Sequence, residues 1–240
     1  MVSVLDVARA TPVQQSPNGI LYASYGQTHI PTLDLEHMVQ AVPQTMAAAL
    51  QRKAYYFVPL VVDTPGEVLV APAPSDDLVE RAICHRNVPF QGAEYVFIST
   101  QLMHDRFSLA FEFFINVGRN FVDTVGVPEG FSGLVGTQVS ANVHGETSQD
   151  AWEARKQAYG ARDKSVDEKA RLEHLSAAFS DAIAIYLLSL TVDFDYSELR
   201  EREYPLLAPQ ALAERLRHVA GLFPPNTGYE FAVRPRRHNG

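Results

Sequence analysis

Two acidic residues lie in strongly apolar stretches and are the side chains best placed for chemistry in this sequence. Asp181 lies between Phe179 and Ile183 in the most apolar window of the chain. Glu112 lies at the centre of a narrow polar stripe on a helical stretch whose other faces are apolar. Because an unpaired carboxylate is costly to bury, Asp181 should have a partner. We predict that Glu112 and Asp181 are catalytic residues, with a carboxylate acting as the base.

Histidines near these carboxylates suggest a metal ion. His174 lies seven residues before Asp181, two turns along the same helix face, so both side chains can reach one metal. His144 and Glu146 end a glycine-rich segment, and two such ligands on one loop can share a metal. The predicted ligands of a divalent metal, whose identity the sequence does not show, are His174, Asp181, His144 and Glu146.

The three carboxylates among these residues also have a structural interpretation. Asp181 could cap a neighbouring helix or pair with an arginine such as Arg119 or Arg200. The polar stripe of Glu112 could simply face solvent. Glu146 could interact with the N-terminus of the next helix through the helix dipole. Both interpretations stay open, because spacing alone does not show which side chains meet.

The elements that must position these residues differ between the two halves of the chain. Aromatic and β-branched stretches at 55–62, 67–71 and 94–99 predict strands, and the turn residues at 63–66 make the first two a hairpin. Helical periodicity dominates the second half, and the glycines between 126 and 145 predict a loop there. Predicted helices cover 34–53 in two pieces, 101–125, 147–161, 165–192 and 209–221, and a last strand covers 228–234.

Strands that cluster early and helices that cluster late are typical of the α+β class. We predict a small, mainly antiparallel sheet from the N-terminal half packed against a predominantly helical C-terminal half. Residues 1–31 are rich in Pro, Gln, Ser and Gly and predict an irregular N-terminal arm. Residues 32–240 are predicted to form a single α+β domain, since no linker separates two cores.

Composition and charge limit the class of protein further. Of the 240 residues, 46% are hydrophobic, which is ample for a core, and the net charge of −8 disfavours general nucleic-acid binding. A single cysteine, Cys84, excludes an intrachain disulfide. The sequence shows no signal peptide and no apolar stretch long enough for a membrane span, which predicts a soluble, cytoplasmic protein. A short basic group near the end consists of Arg234, Arg236, Arg237 and His238.

Three functions are compatible with these observations. The preferred hypothesis is a metal-dependent hydrolase that acts on a small-molecule substrate, with its site between the two long helices. The alternative is a non-catalytic binding or assembly protein that uses the N-terminal arm and an aromatic surface to bind a partner protein or to form a homo-oligomer. A third hypothesis is a small-molecule pocket lined by Tyr55, Tyr56 and Tyr95.

Overall fold

The computed structural model describes residues 1–103, 105–160, 166–199 and 203–232. These residues form helices and two β-sheets, which confirms the α+β class. The strands are β1 Val2–Ser3, β2 Gln14–Gln15, β3 Leu21–Ser24, β4 Lys53–Val58, β5 Leu60–Thr64, β6 Glu67–Ala71, β7 Ala82–Ile83, β8 His85–Phe90 and β9 Ala93–Ser99. The helices are α1 Val4–Ala10, α2 Thr32–Gln40, α3 Gln44–Leu50, α4 Asp76–Val79, α5 Arg106–Val125, α6 Glu129–Ser140, α7 Gln149–Tyr159, α8 Glu168–Ser189 and α9 Pro209–Leu222, with a 3₁₀ helix at Tyr196–Leu199.

The strands divide between two sheets. A four-stranded antiparallel sheet has the order β1-β6-β5-β7, and a five-stranded sheet has the order β2-β3-β4-β9-β8. Antiparallel pairs predominate, but β4 pairs parallel with both β3 and β9 at the centre of the second sheet. Parallel neighbours need a crossover connection, and α2 and α3 supply it between β3 and β4.

Pro59 marks the point where the chain passes from one sheet to the other. The apolar pattern predicts one strand over 55–62, but β4 ends at Val58 and β5 begins at Leu60 in the other sheet. Proline has no N–H to donate to a sheet ladder, so a bend is favoured there. Ser99 joins the sheets, since its Oγ accepts from Val61 N at 2.7 Å and donates to Ile83 O at 2.5 Å.

The prediction of an irregular arm over residues 1–31 is wrong, because this segment contains β1, α1, β2 and β3 and adds strands to both sheets. Val7 of α1 is fully buried in a smaller core to which both sheets contribute residues. The Asn18 amide donates to the carbonyls of Val39 and Val42 at 2.9 and 2.7 Å, which fixes the segment to the end of α2. That residues 32–240 form one domain stays a prediction.

Helix α6 occupies much of the predicted loop at 126–145, so that prediction is wrong as well. Phe131 and Val135, one turn apart, are fully buried, and their packing offsets the low helix propensity of the glycines. Gly130 leaves room for His218 of α9, whose ring lies 3.2 Å from where a Cβ would be placed.

The long helices α5 and α8 pack against each other at the centre of the helical half. A Cβ at Gly118 of α5 would lie 2.4 Å from the backbone oxygen of Ser180 of α8, so this approach requires glycine. Helix α8 begins with Asp167 as its N-cap, whose side chain accepts from Ala170 N at 3.0 Å. None of the helices in the described ranges is long and apolar enough to cross a membrane.

Some predicted features fall outside the described residues. They are the start of a helix at Ser165, the arginine Arg200 and the basic group at 234–238. Residues 228–232 are described and form no strand there, whereas the end of the strand predicted over 228–234 lies outside.

Candidate functional site

The segment between α6 and α7 places two neighbouring groups of polar side chains. Gly145 has φ +85°, and a Cβ there would lie 2.0 Å from Leu206 O, so the position requires glycine. The next residue, Glu146, donates its N–H to Pro205 O at 3.0 Å, and its carbonyl accepts from Leu207 N at 2.9 Å. These contacts fix the backbone immediately before α7.

The Glu146 carboxylate accepts hydrogen bonds from side chains of three helices. Arg215 of α9 donates to Oε2 at 2.7 Å and to Oε1 at 3.2 Å. Oε1 also lies 2.8 Å from His174 Nε2 of α8 and 3.3 Å from Arg155 Nη1 of α7. Glu146, His174 and Arg215 are fully buried, and Arg155 nearly so. We call these four residues the Glu146 cluster.

Charge compensation keeps the Glu146 carboxylate ionised. Burial alone would raise the pKa of Glu146, but the hydrogen bond from His174 and the charge and hydrogen bonds of Arg215 lower this pKa to about 2. Since an ionised carboxylate only accepts, His174 Nε2 is the donor in their hydrogen bond. The Nδ1 atom of His174 has no hydrogen-bond partner in the described part of the chain.

The Glu146 cluster also reaches the remaining helix of this region. Gln138 of α6 accepts from Arg215 Nε at 2.8 Å and donates to the carbonyl of Ala211 at 3.1 Å. Arg155 donates to the carbonyls of Gly145 and Val143 at 2.9 and 2.6 Å. The cluster therefore connects α6, α7, α8 and α9 through side chains whose polar groups are largely satisfied.

Two of the four predicted metal ligands lie together, since Glu146 contacts His174. Both oxygens of Glu146 already accept from Arg215, and His144 is exposed, with its ring 5.7 Å from that of Trp152. Within the described ranges, no group of three or more His, Cys, Asp or Glu side chains is placed to hold a metal ion. The metal site stays a prediction that rests on the sequence.

Glu112 has a partner that the sequence analysis did not assign to it. Its Oε1 lies 2.5 Å from His85 Nδ1 on β8 and accepts from Asn116 Nδ2 at 3.1 Å. Glu112 therefore faces the five-stranded sheet, and its hydrogen bonds are separate from those of Asp181. Strand β8 went unpredicted because its pattern mixes polar residues with Pro89, so sequence spacing held no signal for this pair.

Asp181 lines a pocket between α5 and α8. The cavity has a volume of about 130 Å³ and lies beside the first turn of α7. We call it the Asp181 pocket. Its walls are Phe111, Ile115 and Arg119 from α5, Thr147, Ser148, Gln149 and Asp150 at the start of α7, Asp181 and Ile185 from α8, and Leu199 and Tyr204.

Neutral hydroxyl groups are the hydrogen-bond partners of the Asp181 carboxylate. Thr147 donates to Oδ2 at 2.8 Å, and the Ser148 hydroxyl also binds the carboxylate. Ser148 Oγ in turn accepts from Ala151 N at 3.1 Å as the N-cap of α7. Burial raises the pKa of Asp181 to about 6, although the two hydroxyls and the charge of Arg119 act in the opposite direction.

The two structural interpretations of Asp181, capping of a neighbouring helix and pairing with an arginine, each agree with the structure only in part. The carboxylate binds the N-cap residue Ser148 rather than the helix N–H groups, and Arg119 forms its ion pair with Asp150 at 3.4 Å instead. Thr147 and Ser148 were missed as site residues. Their signal in the sequence is the capping pattern Thr-Ser-Gln-Asp before a helix, which gives no indication of a distant carboxylate.

The aromatic residues predicted to line a cavity belong to the core instead. Tyr55 and Tyr56 are fully buried, and Tyr56 packs edge-on against Tyr95 with ring centroids 5.5 Å apart.

No family model, curated protein or solved structure matches this chain. In the geometry of this chain, the carboxyl whose raised pKa of about 6 suits proton exchange near neutral pH is that of Asp181.

Proposed function

We propose that the protein binds a small polar molecule in the Asp181 pocket and that Asp181 is the proton-accepting group of this site. The observation that carries the proposal is a carboxyl with its pKa raised to about 6 on the wall of a cavity. Perturbed pKa values of this kind are concentrated at functional sites, and a base works best when its pKa lies near the working pH.

The size of the cavity restricts the ligand. A single buried water needs only about 15 Å³ of such space, whereas pockets for drug-sized ligands start at about 300 Å³. At about 130 Å³ the Asp181 pocket has room for one small organic molecule.

The Glu146 cluster supports the proposed site from behind. Thr147 follows Glu146 directly in the chain, and the Tyr204 hydroxyl donates to the Thr147 carbonyl at 3.0 Å. The backbone that presents the Thr147 and Ser148 hydroxyls is thus held before any ligand arrives. Such preorganisation by a second layer of contacts is what a binding or catalytic site requires.

Metal-dependent hydrolysis stays a prediction, and Asp181 is the residue that it shares with the present proposal. In a hydrolase, Asp181 would accept the proton of the attacking water. The position of the pocket between α5 and α8 supports this role. The assembly alternative relied on residues 1–31 and on an aromatic surface, and residues 1–31 add strands to the protein's own sheets. Partner binding, homo-oligomer formation and cytoplasmic location also stay predictions.

A binding screen with matched variants tests the proposed function. Ligand-observed NMR would compare wild type, Asp181→Asn and Glu173→Gln with a panel of neutral, cationic and anionic molecules small enough for the pocket. The control variant removes an exposed carboxylate of the same helix that does not line the pocket. We expect binders that Asp181→Asn loses and Glu173→Gln keeps. A panel without binders, or binding that ignores Asp181→Asn, would overturn the proposal.

A further inference from the structure

The hydroxyl groups around the Asp181 pocket have already donated their hydrogens within the protein. Those of Thr147 and Ser148 go to Asp181, and that of Tyr204 goes to the carbonyls of Thr147 and Leu199, at 3.0 and 3.4 Å. A hydroxyl has one hydrogen, so these three groups offer only lone pairs to a ligand. At these three groups a ligand can bind only by supplying hydrogen-bond donors.

The ionisable side chains on the pocket wall carry an excess of negative charge. Asp181 and Asp150 supply two carboxylates, whereas Arg119 supplies one guanidinium, which pairs with Asp150 at 3.4 Å. The start of α7 adds a partial positive charge, and Asp150 lies in that first turn. The charge of Glu146, behind Thr147, is compensated by its own arginines. A cation would balance the excess, and an anion would add to it.

The rest of the pocket wall is apolar. Phe111, Ile115 and Ile185 line it together with Leu199. A short alkyl chain can pack on such side chains.

We infer that the ligand of the Asp181 pocket is a small organic ammonium ion, with its nitrogen at the Asp181 carboxylate and a short alkyl chain against the isoleucines. The inference rests on the proposed function and adds the chemical class of the ligand. An ammonium group brings three N–H donors and the missing positive charge at once. A neutral alcohol brings one donor and no charge. A carboxylate brings no donor and a further negative charge.

Three molecules with the same number of carbons test this inference: propylammonium, propan-1-ol and propionate. Each is titrated into full-length protein near neutral pH, and the amide resonances of residues 147–150 report binding. We expect propylammonium to bind at least about tenfold more tightly than the other two, because a charge-assisted hydrogen bond is the stronger kind. We also expect about a tenfold loss with Asp181→Asn and less than about a twofold change with the control Glu173→Gln, an exposed position on α8 that does not line the pocket.

The possible outcomes separate the inference from the proposed function. If propan-1-ol or propionate binds these residues as tightly as propylammonium, the ligand class is wrong and the pocket stays a binding site. If propylammonium binds equally well to Asp181→Asn, the inference is overturned too, since the carboxylate then does not recognise the cation. If none of the three binds, the ammonium class is excluded, and the broader panel decides on the proposed function by itself.

Discussion

Glu146 and Asp181 are two carboxylates of the same helical region with pKa values shifted in opposite directions. Burial raises the pKa of both, but His174 and Arg215 bring that of Glu146 down to about 2. Asp181 has mainly the hydroxyls of Thr147 and Ser148, and its pKa stays at about 6. The charge of the partners, more than depth in the protein, decides whether a buried carboxylate holds its proton near neutral pH.

The same difference separates the structural role of Glu146 from the ligand-binding role proposed for Asp181. Arg215 alone occupies both oxygens of Glu146, so this carboxylate has little capacity left for a ligand. The hydroxyl partners of Asp181 leave its negative charge uncompensated at the wall of a cavity. Substitutions at the two sites should therefore change stability in opposite directions.

Glu146→Gln is expected to have the largest effect. It leaves the buried guanidinium groups of Arg155 and Arg215 without their counter-charge, and breaking a buried ion pair in this way costs about 3–5 kcal/mol. Urea unfolding at neutral pH measures the loss. Glu173→Gln, a control at an exposed position beside His174, should change stability by less than about 1 kcal/mol. Equal losses for the two variants would contradict the role given to the Glu146 cluster.

Asp181→Asn should stabilise the fold, whereas Glu146→Gln should destabilise it. The folded-state pKa of Asp181 lies above its ordinary value of 3.8, so ionisation destabilises the fold as pH rises from about 4 to about 6 and adds no further penalty above that. The full shift corresponds to about 3 kcal/mol. Asparagine keeps part of the hydrogen bonding, so we expect a gain of about 1–2 kcal/mol near pH 7.5.

Urea unfolding of wild type and Asp181→Asn at two pH values measures this gain. Near pH 4 the wild-type carboxyl is largely protonated in the fold, and the gain should disappear. A variant that is less stable than wild type at both pH values would show that Asp181 acts as a structural anion, as Glu146 does.

The affinity for propylammonium should fall by about tenfold between about pH 7.5 and about pH 5, because roughly a tenth of Asp181 is ionised at the lower pH. The other charged groups at the pocket are Arg119 of α5 and Asp150 of α7, with Glu146 behind Thr147. Calorimetric titration across this range gives the profile. The residual affinity of Asp181→Asn should be independent of pH. If the variant showed the same pH dependence as wild type, the titrating group would be a residue other than Asp181.

Asp150→Asn is expected to have the smallest effect. The ion pair of Asp150 with Arg119 is largely exposed, and pairs of this kind contribute about 0–1 kcal/mol. Thermal unfolding should show a change of less than about 0.5 kcal/mol. A larger loss would mean that the rim of the pocket is held by this pair, and the contrast between the two carboxylates would then be less sharp.

The long helices and the hairpin of β5 and β6 could be predicted because their signals are local. Apolar periodicity and caps identify α5 and α8, and turn residues identify the hairpin. Helix α6 and strand β8 could not be predicted in this way. The glycines of α6 are tolerated because Phe131 and Val135 are buried, and β8 is an edge strand that contains Pro89. Both depend on tertiary contacts.

Part of the candidate site could be predicted from the sequence for a related reason. Asp181 and His174 are conspicuous because polar side chains are rare in the apolar stretch of α8. The partners of Glu146 are not, because Arg155 and Arg215 lie in helices that carry many charges, where an arginine usually faces solvent. Nothing local in the sequence distinguishes the fully buried Arg215 from its exposed neighbour Arg217.

The close approach of α5 and α8 at Gly118 also affects the width of the Asp181 pocket. Arg119 follows Gly118 on one wall, and Asp181 follows Ser180, the residue that Gly118 meets, on the other. A methyl group at position 118 would push the two helices apart, and the walls would move with them. The size limit of the proposed ligand therefore depends on Gly118, which does not line the pocket, so a substitution there would alter the proposed selectivity without any change in the lining.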